Sequence, residues 1–110
     1  GRIINMGSMA VRHEVPGESV YTASKSAVIA FSRTFAKEIH KLGITCNVLA
    51  PSAIETELSQ QVDRKALSEV LNRNAIPEFG TVNDVCSAID WLIRPESNAI
   101  TGQVIYLGGA

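Results

Sequence analysis

The sequence has little of several features that would place it in other classes of protein. It has two cysteines, Cys46 and Cys86, which lie 40 residues apart in apolar segments. Two such cysteines fit neither a disulfide framework nor a metal motif, so we predict buried thiols in a reducing compartment. No run approaches the roughly 20 apolar residues that span a bilayer, and no signal peptide is visible. These absences favour a cytoplasmic protein without a membrane partner or a metal site.

An excess of charge of either sign is also missing. Ten basic and eleven acidic residues give a formal net charge of −1. This balance gives no reason to expect nucleic acid as a partner. The sequence also lacks the motif G-x-G-x-x-G, because its glycines are isolated apart from Gly108 and Gly109 at its end. The element that would place a pyrophosphate at a helix N-terminus is therefore absent from these residues.

What the sequence does contain is an alternation of short apolar runs and helical patterns. Its 110 residues suffice for one domain with a modest core. Strands are predicted over residues 2–6, 44–49 and 103–107, and helices over about 19–42 and 84–93, with a weakly helical polar stretch at 57–74. On the long helix the recurring apolar residues are Val28, Phe31, Phe35, Ile39 and Leu42, and the helix is predicted to lie between a Ser19 cap and Gly43.

This order of elements predicts an α/β fold. Near-continuously apolar strands joined by helices are typical of a parallel sheet with right-handed crossovers. Three parallel strands alone would leave the first strand with an unpaired edge and few helices to cover the sheet. We therefore interpret residues 1–110 as the C-terminal half of a doubly wound parallel sheet rather than an autonomous domain.

The most informative motif is the run from Tyr21 to Lys25, with Ser8 thirteen residues before the tyrosine. Residues i and i+4 share a helix face, so the phenol and the ammonium can point into the same cleft. A nearby ammonium favours the phenolate, which makes Tyr21 a candidate general acid or base. A serine on the opposite wall can hold the oxygen that is protonated. Taken by itself, the motif is more often an ordinary surface pair.

Five segments in register resemble the C-terminal half of the short-chain dehydrogenase/reductases, and in particular the bacterial 3-oxoacyl-carrier-protein reductases. They are residues 1–8, 21–25, 43–51, 54–56 and 100–109. The resemblance implies a Rossmann-type fold and hydride transfer between NAD or NADP and a ketone or secondary alcohol, with a 3-oxoacyl thioester as the best substrate. It also implies a homo-oligomer, either dimer or tetramer, and makes acyl carrier protein a partner to consider.

The resemblance assigns roles to the three residues of the motif. Tyr21 matches the tyrosine that gives the substrate oxygen its proton, and Lys25 matches the lysine that favours the phenolate and binds the nicotinamide ribose. Ser8 matches the serine that orients the substrate oxygen. The same roles follow from the chemistry of the side chains. The family's supporting asparagine lies on an earlier helix outside these residues, and Asn5 does not replace it.

A second matching segment follows the second strand, where the family wraps the nicotinamide ring. The resemblance gives cofactor contacts to Pro51, Ser52, Ile54 and Thr56, with Ile54 offering backbone groups to the carboxamide and Thr56 its hydroxyl and backbone. Ser52 stands where the family usually has glycine. If the backbone there needs positive φ, serine costs about 1 kcal/mol or more. An ordinary turn after a strand is the alternative.

Other residues receive weaker predictions. The stretch 58–74 matches the family's variable substrate lid, and no residue in it is given a role. His13 lies in the loop before Tyr21, where we expect it to line the substrate mouth and to take no part in the chemistry.

Two alternatives to the oxidoreductase remain open. One is a non-catalytic fragment whose surfaces self-associate. The other is a hydrolase with a Ser24–Lys25 pair, which the divergence of neighbouring helix residues disfavours. The 110 residues alone are expected to be inactive and to bind cofactor weakly or not at all, and they contain nothing that decides between NAD and NADP.

Overall fold

The structure is a computed structural model, and it describes residues 1–55 and 63–110. Its strands are β1 Arg2–Met6, β2 Thr45–Pro51 and β3 Val104–Leu107, and its helices are α1 Ala10–His13, α2 Ser19–Ile39, α3 Arg64–Leu71 and α4 Val82–Ile93, with short 3₁₀ helices at His40–Leu42 and Pro95–Ser97. The predicted alternation of strands and helices is confirmed. The sequence did not predict α1, because four residues are too few to show a helical period.

The three strands form one parallel sheet with β2 in the centre. The order is β1-β2-β3, with Ile3 opposite Cys46 and Leu49 opposite Ile105. The first six residues of β2 are buried, as expected of the central strand of a parallel sheet. The predicted α/β class with parallel strands is therefore confirmed. Because the strands are parallel, the segments after β1 and β2 emerge at the same edge of the sheet.

Helix α2 begins and ends close to its predicted limits. Its N-cap is Glu18, one residue before the predicted Ser19. Gly43 follows the 3₁₀ turn with φ 72°, a left-handed conformation in which glycine carries no steric penalty. This start of α2 sets Tyr21 and Lys25 in its first two turns.

The predicted apolar face of α2 is only partly buried. Phe31 and Leu42 are 57% and 72% exposed, so these two members of the predicted apolar pattern do not lie in the core. The buried residues of the helix are Ser32, Ala36 and Ile39. The small side chains of Ser32 and Ala36 let the helix lie close to β2, whereas Phe31 lies on the outer side.

The two cysteines have different environments. Cys46 on β2 is buried as predicted, and burial raises the pKa of its thiol, with a hydrogen bond to Ser32 acting in the opposite direction. The prediction for Cys86 is wrong, because that residue is exposed on α4. It follows Val85 in a helix, where successive residues point about 100° apart, so it turns away from the side that packs on the sheet.

Helix α4 has clear signals at both ends. Thr81 is its N-cap: the Thr81 hydroxyl accepts from the Asp84 amide, and the Asp84 carboxylate accepts from the Thr81 amide. This capping box starts the helix at Thr81. Arg94 is extended before Pro95, as expected of a residue that precedes proline.

Two further features bear on the class of protein. In the part of the chain that the structure describes, no helix has the length and apolarity to cross a bilayer. Within residues 1–55 and 63–110, no group of three or more His, Cys, Asp or Glu side chains could hold a metal ion.

Candidate active site

Four of the residues predicted from the sequence line one cleft at the carboxyl edge of the sheet. Ser8, Tyr21, Pro51 and Ser52 lie around a space of about 210 Å³. The cleft exists because the segments after β1 and β2 leave the sheet side by side. Gly7 assists, since a Cβ there would come within 2.8 Å of Val48 Cγ1. The missing side chain lets the segment after β1 lie close to β2 and brings Ser8 to the cleft.

A backbone amide two residues further along the chain orients the Ser8 hydroxyl. Its Oγ accepts a hydrogen bond of 3.1 Å from the Ala10 amide at the start of α1. A serine hydroxyl has one proton to donate and two lone pairs. The Ala10 amide occupies one lone pair, and within residues 1–55 and 63–110 the Ser8 hydroxyl donates to no other group, so its proton can be donated to an oxygen in the cleft.

Tyr21 enters the cleft from the first turn of α2. Its side chain is 48% exposed and lines the same space as Ser8. The phenol is therefore accessible to a ligand and is not buried in the core. A proton donor needs this combination of access and fixed position.

Lys25 lies on the same side of α2 as Tyr21. Its Nζ is 6.0 Å from the centroid of the Tyr21 ring and donates a 3.1 Å hydrogen bond to the Met6 carbonyl. The carbonyl at the end of β1 thus holds the ammonium near the phenol. Lys25 does not itself line the cleft among the described residues, and its ammonium lies over the Tyr21 ring.

The Ser24–Lys25 pair has no geometry of a nucleophile and its base. Ser24 Oγ donates a 2.7 Å hydrogen bond to the Tyr21 carbonyl on its own helix. Lys25 donates to the Met6 carbonyl. Each side chain is directed to a different backbone oxygen, and nothing here supports the hydrolase alternative.

Residues at the end of β2 and just after it line two separate spaces. Pro51 and Ser52 line the cleft with Tyr21, and they also line a second cavity of about 450 Å³. Ile54 lies in the second cavity only, where its backbone forms a parallel bridge with Gly80. The structure thus places Ile54 apart from Tyr21. Thr56, the last of the predicted cofactor residues, lies outside the described residues.

Ser52 is accommodated without strain. Among the described residues Glu14 is the one non-glycine residue with positive φ, at 50°, so the backbone of Ser52 does not need the left-handed region. The cost considered for a serine in the place of glycine therefore does not arise. Its side chain has a partner instead, because Ser52 Oγ accepts a 2.7 Å hydrogen bond from Asn74 Nδ2.

His13 lines the cleft, as expected from the sequence, but its contact with Asn74 was not predicted. Each of the two residues is 8% exposed, and His13 Nε2 lies 2.9 Å from Asn74 Oδ1. His13 is the last residue of α1 and lines the cleft. The 61 residues that separate the two carry no spacing signal, so only the fold brings them together.

The wall opposite the sheet comes from α3, within the predicted lid. Leu67 and Val70 line the cleft and make that wall apolar. Arg64 at the start of α3 forms a 2.9 Å ion pair with Glu55, and both side chains are about half exposed. Such a pair contributes little to stability.

The fold and the cleft together define an α/β protein of the doubly wound class with a tyrosine, a lysine and a serine at the carboxyl edge of its sheet. A family model described as enoyl-(acyl carrier protein) reductase matches residues 1–109. The chain belongs to the short-chain dehydrogenase/reductase family.

Curated relatives agree with this assignment. The chain is 37% identical over 109 residues to a 3-oxoacyl-[acyl-carrier-protein] reductase of Thermotoga maritima, and the match covers 99% of this chain and 44% of the relative. It is 36% identical over 109 residues to nodulation protein G of Rhizobium meliloti, again covering 99% and 44%. The chain thus spans less than half the length of the curated relatives it matches.

Solved structures share the fold. A blue fluorescent protein from a metagenomic library, solved in complex with NADPH, superposes with a TM-score of 0.87 at 32% identity, covering 99% of this chain and 44% of that one. A mutant short-chain dehydrogenase/reductase of Serratia marcescens gives 0.86 at 28% identity, covering 99% and 45%.

Proposed function

We propose that these residues form the catalytic half of an NAD(P)H-dependent oxidoreductase that interconverts a ketone and a secondary alcohol. The observation that carries the proposal is the cleft shared by Ser8 and Tyr21, with the Lys25 ammonium 6.0 Å from the tyrosine ring. The proposal also draws support from the reductases among the relatives and from the NADPH complex of a similar fold.

In the proposed reduction, three side chains act on the carbonyl oxygen of the substrate. The Ser8 hydroxyl donates a hydrogen bond to that oxygen and stabilises the negative charge that develops on it. Tyr21 transfers its phenolic proton to the same oxygen, and the Lys25 ammonium stabilises the phenolate left behind. The carbonyl carbon takes up a hydride, which a bound nicotinamide supplies. The product is the secondary alcohol, and alcohol oxidation runs the same steps in reverse.

The cofactor is proposed to lie along the carboxyl edge of the sheet. Tyr21 and Lys25 would contact its ribose, and Pro51, Ser52, Ile54 and Thr56 its nicotinamide end. Because Pro51 and Ser52 line both spaces, a ring held there would lie beside the cleft that contains Tyr21. Either NAD or NADP fits this proposal.

The proposed substrate is a 3-oxoacyl thioester, with acyl carrier protein as the partner that presents it. The apolar wall from Leu67 and Val70 suits an acyl chain, and 3-oxoacyl-[acyl-carrier-protein] reductases are among the relatives. The full-length polypeptide encoded by the gene is expected to oxidise NADH or NADPH when acetoacetyl thioester is added, as followed by absorbance. No oxidation of either cofactor with the thioester or with simple ketones would contradict the proposal.

The 110 residues alone serve as a control. When they are titrated with both cofactors and followed by fluorescence, we expect no micromolar binding.

A second proposal concerns self-association, the property on which the non-catalytic alternative depends. Phe31 is 57% exposed and stacks on Phe35 with ring centroids 5.0 Å apart, and Val20 on the same helix is 83% exposed. We propose that this side of α2 contacts a second copy of the protein. Light scattering is expected to find a dimer or tetramer of the full-length polypeptide and a smaller species for Phe31→Glu. If the wild type and Phe31→Glu have equal mass, α2 is not the contact.

A further inference from the structure

A chain of three hydrogen-bonded side chains connects three elements around the cleft. His13 ends α1, Asn74 follows α3, and Ser52 follows β2. The distances are 2.9 Å from His13 Nε2 to Asn74 Oδ1 and 2.7 Å from Asn74 Nδ2 to Ser52 Oγ. None of these contacts is local in sequence, so the fold alone assembles them.

The inner part of this chain is fixed in place. His13 and Asn74 are each 8% exposed. Arg73, the neighbour of Asn74, donates a 2.6 Å hydrogen bond to the His13 carbonyl, which ties the segment after α3 to α1 a second time. The amides of Ala75 and Ile76 donate to the carbonyls of Gly109 and Gly108 beyond β3. Asn74 therefore has little freedom to turn its amide.

The direction of the hydrogen bonds follows from the chemistry of the groups. Asn74 Nδ2 donates to Ser52 Oγ, so Asn74 Oδ1 accepts, and His13 Nε2 carries the proton that it receives. Ser52 Oγ thereby has one lone pair occupied. Its own proton has no acceptor within residues 1–55 and 63–110, and Ser52 lines the cleft beside Tyr21.

We infer that Ser52 is a specificity-determining residue that donates a hydrogen bond to a second oxygen of the substrate, and that Asn74 is the positioning residue that orients it. The inference rests on the proposed function. Ser8 and Tyr21 bind the reacting carbonyl, and Ser52 lines the same cleft of about 210 Å³. A substrate with a second carbonyl two carbons from the first presents an acceptor to Ser52, whereas a simple ketone of the same length does not.

The test compares two substrates of matched length, ethyl 3-oxobutanoate and 2-heptanone, with the full-length polypeptide and the same cofactor. The measured quantity is kcat/KM for ethyl 3-oxobutanoate divided by kcat/KM for 2-heptanone. Any effect on cofactor binding cancels in this ratio. Ser52→Ala is expected to lower the ratio about tenfold, the usual effect of one lost hydrogen bond. Asn74→Asp is expected to lower it similarly. A carboxylate can only accept, so the Ser52 proton would be drawn to Asp and away from the substrate, while the bond from His13 is kept.

The matched control is Asn72→Asp, which makes the same change on an exposed residue at the C-cap of α3 and is expected to leave the ratio at its wild-type value. A Ser52→Ala ratio within twofold of wild type would overturn the inference, and an unchanged ratio in a folded Asn74→Asp would overturn the positioning role. Failure of the wild type to reduce either ketone or the thioester would instead overturn the proposed function. Circular dichroism of each variant shows whether it folds.

Discussion

Replacing Tyr21 with phenylalanine is expected to lower kcat/KM for carbonyl reduction by about a hundredfold or more, which is the usual contribution of a positioned proton donor. The substitution removes only the hydroxyl, from a side chain that is half exposed on the wall of the cleft. The ring and its packing remain, so the affinity for cofactor is expected to change much less than kcat. Steady-state kinetics of the full-length polypeptide with a 3-oxoacyl thioester measure kcat, kcat/KM and the KM for cofactor.

The chain offers a matched control in its other tyrosine. Tyr106 lies on β3, where the Arg12 guanidinium is 5.7 Å from its ring centroid, and it does not line the cleft. Tyr106→Phe is expected to keep kcat/KM close to wild type. Equal turnover by wild type and Tyr21→Phe would remove Tyr21 from the mechanism.

Replacing Lys25 with methionine is expected to lower kcat by about ten- to a hundredfold and to raise KM for the cofactor. Methionine keeps an unbranched apolar stem and loses the ammonium, which donates to the Met6 carbonyl and lies 6.0 Å from the Tyr21 ring. The size of the effect is that of a hydrogen bond from a charged group. Initial rates at several cofactor concentrations separate the two constants.

Lys37→Met is the control for this change, because Lys37 is exposed on the same helix and lines a different cavity. It is expected to leave both constants unchanged. A Lys25→Met variant with wild-type kcat and wild-type KM for cofactor would show that the ammonium serves only to join α2 to β1.

The sequence predicted those features of the fold that depend on short-range patterns. Apolar runs and turn signals predicted the strands and the parallel sheet, because these signals lie within each element. The same signals do not predict which residues are buried, because burial depends on what packs against an element. Phe31 belongs to a regular apolar stripe but lies on the outer side of α2, since Ser32 and Ala36 are the residues that approach the sheet. Cys86 was mistaken for a core residue for the same reason.

The candidate site divides in the same way. Tyr21 and Lys25 are one helical turn apart, so their shared face follows from the period of a helix alone. Ser8 reaches the cleft because parallel strands end at one edge, which is a rule of the sheet and also available from sequence. The link from His13 through Asn74 to Ser52 cannot be predicted from the sequence. It depends on side-chain positions in three elements that are far apart in the chain.

The most direct test of the proposed chemistry follows a deuteride from the cofactor to the product. The full-length polypeptide is supplied with NADPH or NADH carrying deuterium at C4 of the nicotinamide and with an acetoacetyl thioester, and the 3-hydroxy product is examined by mass spectrometry. If the cleft of Ser8 and Tyr21 reduces a carbonyl, the product carries one deuterium at C3 when the transferred position is labelled, and Tyr21→Phe forms far less of it. A product formed without deuterium from either face of the labelled ring, or formed equally fast by Tyr21→Phe, would contradict the account.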